Sequence, residues 1–253
     1  MDEIMQRLVP RFRFGAIDPH SRGGLNRGPT YQFYRMVPTD VMVISTVLGL
    51  EDYTPDRVET AIANYWKCVD RLAREKVDVI VLGGAPISAQ LGRRRVLDLL
   101  RETKERTGIR GDTPLEAVIA AMNHLGLTKL AVGSRWASEL NEAIVRYLQA
   151  GGVEVVGITK RGQWAADAAA MSFEQGLQTA LDVGREAAQL APDAQAIFVP
   201  GGAAMALHVI PALEEAFGKP AFTNLSAEVW NNLLRPGVIA PVEGWGRLLA
   251  GKR

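Results

Sequence analysis

The chain has little of several features on which common protein functions depend. Its 253 residues include a single cysteine, Cys68, which excludes an internal disulfide and any metal site built from several cysteines. No run of about 18 apolar residues occurs, so no membrane-spanning helix is expected. The 29 basic and 28 acidic residues nearly cancel, which gives no reason to expect nucleic acid or an anionic membrane as a partner.

Targeting and nucleotide-binding motifs are also missing. The N-terminal segment MDEIMQRLVPRFRF lacks the basic start and apolar centre of a secretory signal, so a cytoplasmic location is expected. Neither a GxGxxG motif after the first strand nor a GxxxxGK motif followed by Ser or Thr occurs, so nucleotide binding is not expected.

Short runs rich in β-branched residues alternate with longer segments of helical periodicity. The predicted strands are Phe12–Ile17, Asp40–Ser45, Val77–Leu82, Lys129–Gly133, Val153–Ile158, Ala196–Val199 and Pro220–Thr223. Strands separated by helices are typical of mainly parallel sheets with helices on both faces, which predicts an α/β fold.

Capping residues mark two of the predicted helices. In TPDRVE, Thr54 is a candidate N-cap and Pro55 suits the first helical position, which predicts one helix over Thr54–Glu75. In DTPLEAVIAAMNHLG, Thr113 is the corresponding N-cap, and Gly126 is expected to end the helix.

Two predicted strands end in a Gly-Gly pair, in VIVLGGAPIS and AIFVPGGAAM, and a helix is predicted after each pair. Gly84 and Gly201 thereby occupy equivalent places in two similar halves. Ligands of open α/β sheets bind beyond the carboxyl ends of strands, and glycine there lets a ligand approach the main chain. Two such turns facing each other suit a small carboxylate. Alternatively, each pair only forms a tight turn or permits close helix packing.

Three stretches carry a resemblance to a known family. They are DTPLEAVIAAMNHLGLTKLAVGSRWASELNEAIVRYLQAGGVEVVGI, AIFVPGGAAMALHVIPALEEAFGKPAFTNLSAEVW and GWGRLL. In their order and spacing, the chain resembles the aspartate/glutamate racemase superfamily, in particular its maleate isomerase and arylmalonate decarboxylase branch. The resemblance implies two Rossmann-like lobes related by a pseudo-two-fold axis, an active site between them, no metal or organic cofactor, and a homo-oligomer. The corresponding division assigns residues 1–112 and 225–253 to the first lobe and 113–224 to the second.

The positions at which the superfamily places its catalytic groups differ in this chain. The resemblance places Gly84 and Gly201 at the two catalytic cysteine positions, and Trp136 where a tyrosine helps to bind the carboxylate. Ala85 replaces a hydroxyl residue after the first cysteine position, and Ser88 is the nearest hydroxyl that remains. Racemisation or isomerisation by two thiols is therefore not expected, and neither is decarboxylation with a thiol as the proton donor.

Cys68 is not expected to replace the missing thiols. It shares one face of its predicted helix with Ile62, Tyr65 and Leu72, which is the pattern of a small buried apolar residue.

Other side chains are candidates for the chemistry. The polar loop in IDPHSRGGLNRG follows the first strand and offers His20 as an acid or base and Arg22 as a carboxylate clamp. Tyr34 is the second catalytic candidate. The other predicted substrate-binding residues are Gly84, Ala85, Ser88, Arg135, Trp136, Gly201, Gly202, Thr223 and Asn224. No metal ligands are predicted.

Two functions remain open at the level of sequence. The first is a cofactor-independent decarboxylase, isomerase or hydrolase of a small or aromatic carboxylate, using backbone amides to stabilise anionic charge and an acid/base other than cysteine. The second is a carboxylate-binding protein that has lost catalysis, which the missing thiols and tyrosine suggest. The polar loop around His20 favours the enzyme.

Overall fold

The structure is a computed structural model that describes residues 9–20 and 27–252. It contains two parallel four-stranded sheets. The strands are β1 (Phe12–His20), β2 (Val41–Leu50), β3 (Val79–Leu82), β4 (Arg110–Asp112), β5 (Lys129–Val132), β6 (Glu154–Ile158), β7 (Ala196–Phe198) and β8 (Ala221–Phe222). The first sheet has the order β2-β1-β3-β4, and the second has the order β6-β5-β7-β8. Both sheets therefore repeat one topology, which confirms the predicted fold class.

Helices separate the strands in both halves. They are α1 (Arg27–Met36), α2 (Pro55–Ile62), α3 (Tyr65–Arg74), α4 (Ala85–Leu91), α5 (Arg93–Thr107), α6 (Pro114–Leu125), α7 (Ser138–Ala150), α8 (Ala165–Ala170), α9 (Phe173–Leu190), α10 (Ile210–Phe217) and α11 (Asn224–Val229). A π-helical turn, Trp230–Leu234, continues α11. Within the described residues, none of these helices is both long and apolar enough to cross a membrane.

Capping explains where several helices begin and end. The Thr113 side chain accepts a hydrogen bond from the amide of Glu116, and Gly126 ends α6 with a φ of 70°, as the sequence predicts. The single helix predicted over Thr54–Glu75 is wrong, because the chain forms two helices that are separated at residues 63–64. At this break, the side-chain amide of Asn64 donates a hydrogen bond to the carbonyl of Leu48 in β2 at 3.3 Å.

The strands differ from the prediction by more than two residues at three places. β1 continues to His20, so Asp18 and His20 belong to a strand rather than to a loop. β2 continues to Leu50 because it pairs with the whole of β1. β4 is missing from the prediction, since its sequence Arg-Gly-Asp has no strand preference and only its pairing with β3 makes it a strand.

The segment after Gly201 is also less regular than predicted. Two short 3₁₀ turns, Gly202–Ala204 and Ala206–Val209, precede α10, whereas an α-helix is predicted there. His208 lies in the second turn, and its ring stacks on Tyr31 with centroids 5.9 Å apart.

Buried side chains between the sheets and helices form the core, and Cys68 belongs to it. Cys68 is 4% exposed and lies in the same cluster as Ile62, Tyr65 and Leu72, as predicted. Its thiol donates a hydrogen bond to the carbonyl of Val47 at 3.4 Å, and burial raises its pKa.

The C-terminal segment connects back to the first sheet. Helix α11 packs against α1 and α6, and the following turn contacts β4. The carboxylate of Asp112, at the end of β4, accepts hydrogen bonds from the side chains of Asn231 and Asn232 at 2.8 and 2.7 Å. The assignment of residues 1–112, 113–224 and 225–253 to lobes stays a prediction.

Candidate active site

A cavity of about 170 Å³ lies at the carboxyl ends of strands from both sheets. The first sheet contributes the ends of β1 and β3, including Asp18 and Gly84, and the second contributes residues that follow β5, β7 and β8. This is the edge at which open parallel sheets bind ligands.

The wall of the cavity is mostly apolar. Its apolar side chains are Phe14, Ala16, Ile17, Pro19, Pro29, Phe33, Val43, Val81, Ala85, Pro86, Trp136 and Leu225. Such a surface favours the binding of an apolar or aromatic group. The few polar groups of the cavity then determine the orientation of the ligand.

Arg135 is the buried cation of the cavity. Its side chain is 5% exposed, and one terminal nitrogen donates to the Oε1 atom of Gln163 at 3.2 Å. The Nε atom is buried and has no hydrogen-bond partner within the described part of the chain. Burial lowers the pKa of Arg135, yet a guanidinium remains protonated at physiological pH. A buried cation with a free donor is suited to binding an anion.

Gly201 is positioned directly beside this guanidinium. Its φ of 107° favours glycine, and a Cβ atom built there would lie 3.5 Å from Nε of Arg135. Gly84 occupies the matching place after β3, with a φ of 89°, and its Cβ would lie 2.8 Å from Cγ of Pro19. Arg135 thus fills the space toward which a side chain at position 201 would point.

Asn224 connects Gly201 to helix α11. Its Oδ1 atom accepts a hydrogen bond from the amide of Gly201 at 2.9 Å. The start of the helix is fixed by Thr223, whose hydroxyl accepts from the amide of Ser226 at 3.0 Å. Glu228 follows Asn224 by four residues, so both side chains lie on the face of α11 that lines the cavity.

Glu228 is a buried acid that sequence reasoning missed. It is 6% exposed, and burial raises its pKa to about 8. The negative charge of Asp112 adds to this increase, and a hydrogen bond from Asn224 opposes it. Glu228 is therefore mostly protonated at neutral pH. The available signal in the sequence is an acidic residue within the otherwise apolar and uncharged segment LSAEVW, where a glutamate is rarely buried without a specific reason.

Two further buried polar side chains line the cavity. Asp18 is 6% exposed, and Tyr53 is 9% exposed. Burial raises the pKa of Tyr53, while the nearby charge of Arg135 opposes this effect. The Tyr53 hydroxyl consequently stays protonated and can donate a hydrogen bond to a ligand.

Most of the predicted substrate-binding residues meet at this one cavity. Those among its lining residues are Gly84, Ala85, Arg135, Trp136, Gly201, Gly202 and Asn224. Thr223 is not among them, because its hydroxyl caps α11. Ser88 is fully buried outside the lining, and its hydroxyl has no hydrogen-bond partner in the described part of the chain.

The two predicted catalytic residues are placed differently. Tyr34 does not line the cavity: its side chain is 47% exposed, and its hydroxyl accepts a hydrogen bond from the amide of Val43 at 3.2 Å. The backbone of His20 ends β1 and pairs with Leu50, which brings it to the strand end that the cavity occupies. The role predicted for its side chain and the role predicted for Arg22, which lies outside the described residues, stay predictions.

The chain is similar to known enzymes over most of its length. The family model described as arylmalonate decarboxylase matches residues 15–249. Arylmalonate decarboxylase of Bordetella bronchiseptica is 26% identical over 215 residues, which cover 85% of this chain and 88% of that protein.

Solved structures share the fold. A double mutant of arylmalonate decarboxylase in a liganded form has a TM-score of 0.82 at 23% identity, covering 94% of this chain and 98% of that one. The maleate cis-trans isomerase of Nocardia farcinica, solved as a mutant with a covalently bound succinylcysteine intermediate, has a TM-score of 0.80 at 18% identity, covering 96% and 99%. These likenesses show a common fold, and the family model spans most of the sequence. The protein therefore belongs to the arylmalonate decarboxylase family.

Proposed function

We propose that the protein is a cofactor-independent decarboxylase of malonates that carry an aromatic or other bulky apolar substituent. The observation that carries this proposal is one buried guanidinium, Arg135, in a cavity whose wall is otherwise mostly apolar. Arg135 binds the carboxylate that the product retains, and the apolar wall receives the substituent and the carboxylate that leaves.

This arrangement favours the loss of carbon dioxide. A carboxylate held against an apolar wall is poorly solvated, and its departure as neutral CO₂ removes that penalty. The bonding electron pair passes to Cα and spreads onto the retained carboxylate, giving an enediolate. The charge that develops there lies beside Arg135, which stabilises it more strongly than it stabilises the substrate. Protonation at Cα then gives the monocarboxylate.

The chemistry differs from that of a thiol-dependent isomerase. The Nocardia farcinica isomerase carries a succinylcysteine intermediate, whereas the single cysteine here, Cys68, does not line the cavity. We also propose that Gly84 and Gly201 stand at the two thiol positions of the superfamily. Their support is that both follow equivalent strands, β3 and β7, of sheets that share one strand order.

The proposal is tested with phenylmalonate, 2-methyl-2-phenylmalonate and maleate, following CO₂ release and the products by NMR. We expect CO₂ release from the two malonates and no conversion of maleate. Conversion of maleate without CO₂ release from either malonate would contradict the decarboxylase.

Replacing the guanidinium tests the role of Arg135. The substitution Arg135→Met keeps an unbranched side chain of similar apolar stem and removes the charged guanidinium, so we expect kcat/KM to fall by roughly 100-fold or more. Binding of phenylacetate, measured by calorimetry, should weaken in parallel. Arg146→Met, at a residue whose side chain is 69% exposed on α7, is the matched control and should behave like the wild type. Unchanged turnover in Arg135→Met would remove Arg135 from the mechanism.

A further inference from the structure

The protonation of Cα needs an acid, and the residues around Gly201 offer one. Glu228 lines the cavity from α11, one helical turn after Asn224. The side chain of Asn224 accepts a hydrogen bond from the amide of Gly201 and also forms one with Glu228. Asn224 therefore connects the carboxyl group of Glu228 to the turn beside Arg135. Glu228 and Arg135 thus line the same cavity.

The surroundings of Glu228 keep it neutral. Asp112 is the nearby acidic group on the side of β4, and it accepts hydrogen bonds from the amide of Thr113 and from the side chains of Asn231 and Asn232. These donors favour the anion of Asp112, although burial raises the pKa of that carboxyl group. In the described part of the chain, the charged or titratable groups that share the cavity with Glu228 are Asp18, Tyr53 and Arg135.

We propose that Glu228 is the catalytic acid that delivers the proton to Cα of the bound carboxylate, and this inference rests on the decarboxylase function proposed above. The O–H bond of Glu228 breaks as the C–H bond forms, and the electron pair of the enediolate becomes the new bond. Glu228 is left as a carboxylate and takes a proton from water before the next cycle. Each turnover thus converts a malonate dianion and one proton into CO₂ and a monocarboxylate.

Two other described groups, the thiol of Cys68 and the phenol of Tyr53, are less suited to this step. Cys68 is buried in the core, with its thiol directed to the carbonyl of Val47. Burial raises the pKa of the Tyr53 phenol further above neutrality, whereas an efficient general acid has a pKa near the working pH. Glu228, with a pKa of about 8, meets that condition.

The experiment combines two readouts of the same proton transfer. The first is CO₂ release from phenylmalonate. The second is the exchange of deuterium from D₂O into the Cα position of 4-nitrophenylacetate, whose nitro group acidifies that C–H bond. The second readout requires proton transfer but no loss of CO₂, so it tests Glu228 even if decarboxylation fails.

Glu228→Gln removes the acid with little change of shape, and we expect both rates to fall by 100-fold or more. Phenylacetate binding should stay within about threefold of the wild type, which also shows that the variant folds. Glu228→Asp keeps an acid and should recover part of the activity. Glu215→Gln, at an exposed residue of α10, controls for the substitution itself.

The outcomes separate the two proposals. Loss of exchange in Glu228→Gln supports the acid, even if the wild type releases no CO₂ and the decarboxylase is thereby overturned. Wild-type rates in Glu228→Gln would contradict the role of Glu228 as the acid without contradicting the decarboxylase function. A wild type that shows neither reaction overturns both.

Discussion

The two glycines Gly201 and Gly84 differ in the space around them. A Cβ atom on Gly201 would meet Arg135 at ordinary contact distance, 3.5 Å, whereas one on Gly84 would meet Pro19 at 2.8 Å. The two sites share a positive φ, so they share the backbone strain of a side chain there. They differ in the room available, because Pro19 is a rigid ring at the end of β1.

We therefore expect Gly84→Cys to destabilise the protein more than Gly201→Cys does. Both variants carry the backbone strain, and overpacking against Pro19 adds about 1 kcal/mol or more at position 84. For a chain of this size, the difference corresponds to a melting temperature lower by about 2–4 °C. Differential scanning calorimetry measures it, and equal melting temperatures would contradict the steric argument.

For single residues, the sequence predicts the place of those that directly follow a strand, but it does not predict the surroundings of a side chain that depend on remote contacts. Gly84, Arg135 and Trp136 follow predicted strands, so their place at the strand ends was predictable. Glu228 stands out in LSAEVW as an acid among apolar residues, but its raised pKa depends partly on Asp112, which is remote in sequence. Tyr34 is a candidate only through its proximity in sequence to the polar loop, and in helix α1 its side chain is exposed at the surface.

Among the secondary-structure elements, helix α11 determines how Asn224 and Glu228 are positioned in the cavity. Thr223 and Ser226 exchange hydrogen bonds at its first turn, and this fixes the direction in which Asn224 and Glu228 enter the cavity.

Removing the cap of α11 should therefore affect activity more than stability. We expect Thr223→Ala to cost about 1 kcal/mol of folding free energy and to lower kcat by roughly tenfold, because small displacements of catalytic groups are costly. Ser172→Ala, which removes the corresponding cap of α9, should cause a similar loss of stability without the loss of kcat. Equal kcat in the two variants would show that α11 does not depend on its cap to hold the site.

The helix caps also show which helix boundaries can be predicted from the sequence. Thr113 and Gly126 bound α6 as expected, because capping is a local interaction. The break between α2 and α3 was not predictable from the helix itself, since it coincides with the contact between Asn64 and Leu48 on β2. β4 likewise exists only through its neighbour β3.

The molecule as a whole is held together across its two sheets by the return of the C-terminal segment. Asp112 on β4, together with Asn231 and Asn232, forms a buried polar contact between the first sheet and the turn that follows α11. Arg110 adds hydrogen bonds to Asn232 and to the carbonyl of Asn231. Asn232 also donates a hydrogen bond to the carbonyl of Glu228 at 2.9 Å, and the charge of Asp112 raises the pKa of Glu228, so this contact links the stability of the fold to the protonation of Glu228.

The stability of the wild type should fall as pH rises between about 4.3 and 8. In the folded state the pKa of Glu228 is about 8, but in the unfolded chain it is about 4.3, so the folded state binds the extra proton in this interval. Each pH unit costs about 1.4 kcal/mol from this group, or about 4 kcal/mol by pH 7. Glu228→Gln should therefore melt higher than the wild type at pH 7, on the order of 5–10 °C, and equally near pH 4.5. A difference in melting temperature that stays constant between pH 4.5 and pH 7 would contradict the raised pKa of Glu228.

The burial of Cys68 has a consequence for chemical resistance. The only sulfhydryl of the protein is enclosed among Ile62, Tyr65 and Leu72, and burial raises its pKa, so little of it exists as the reactive thiolate. Peroxide and alkylating reagents therefore find no sulfur nucleophile in the proposed active site. The proton transfer that we propose for Glu228 would therefore not depend on a reducing environment.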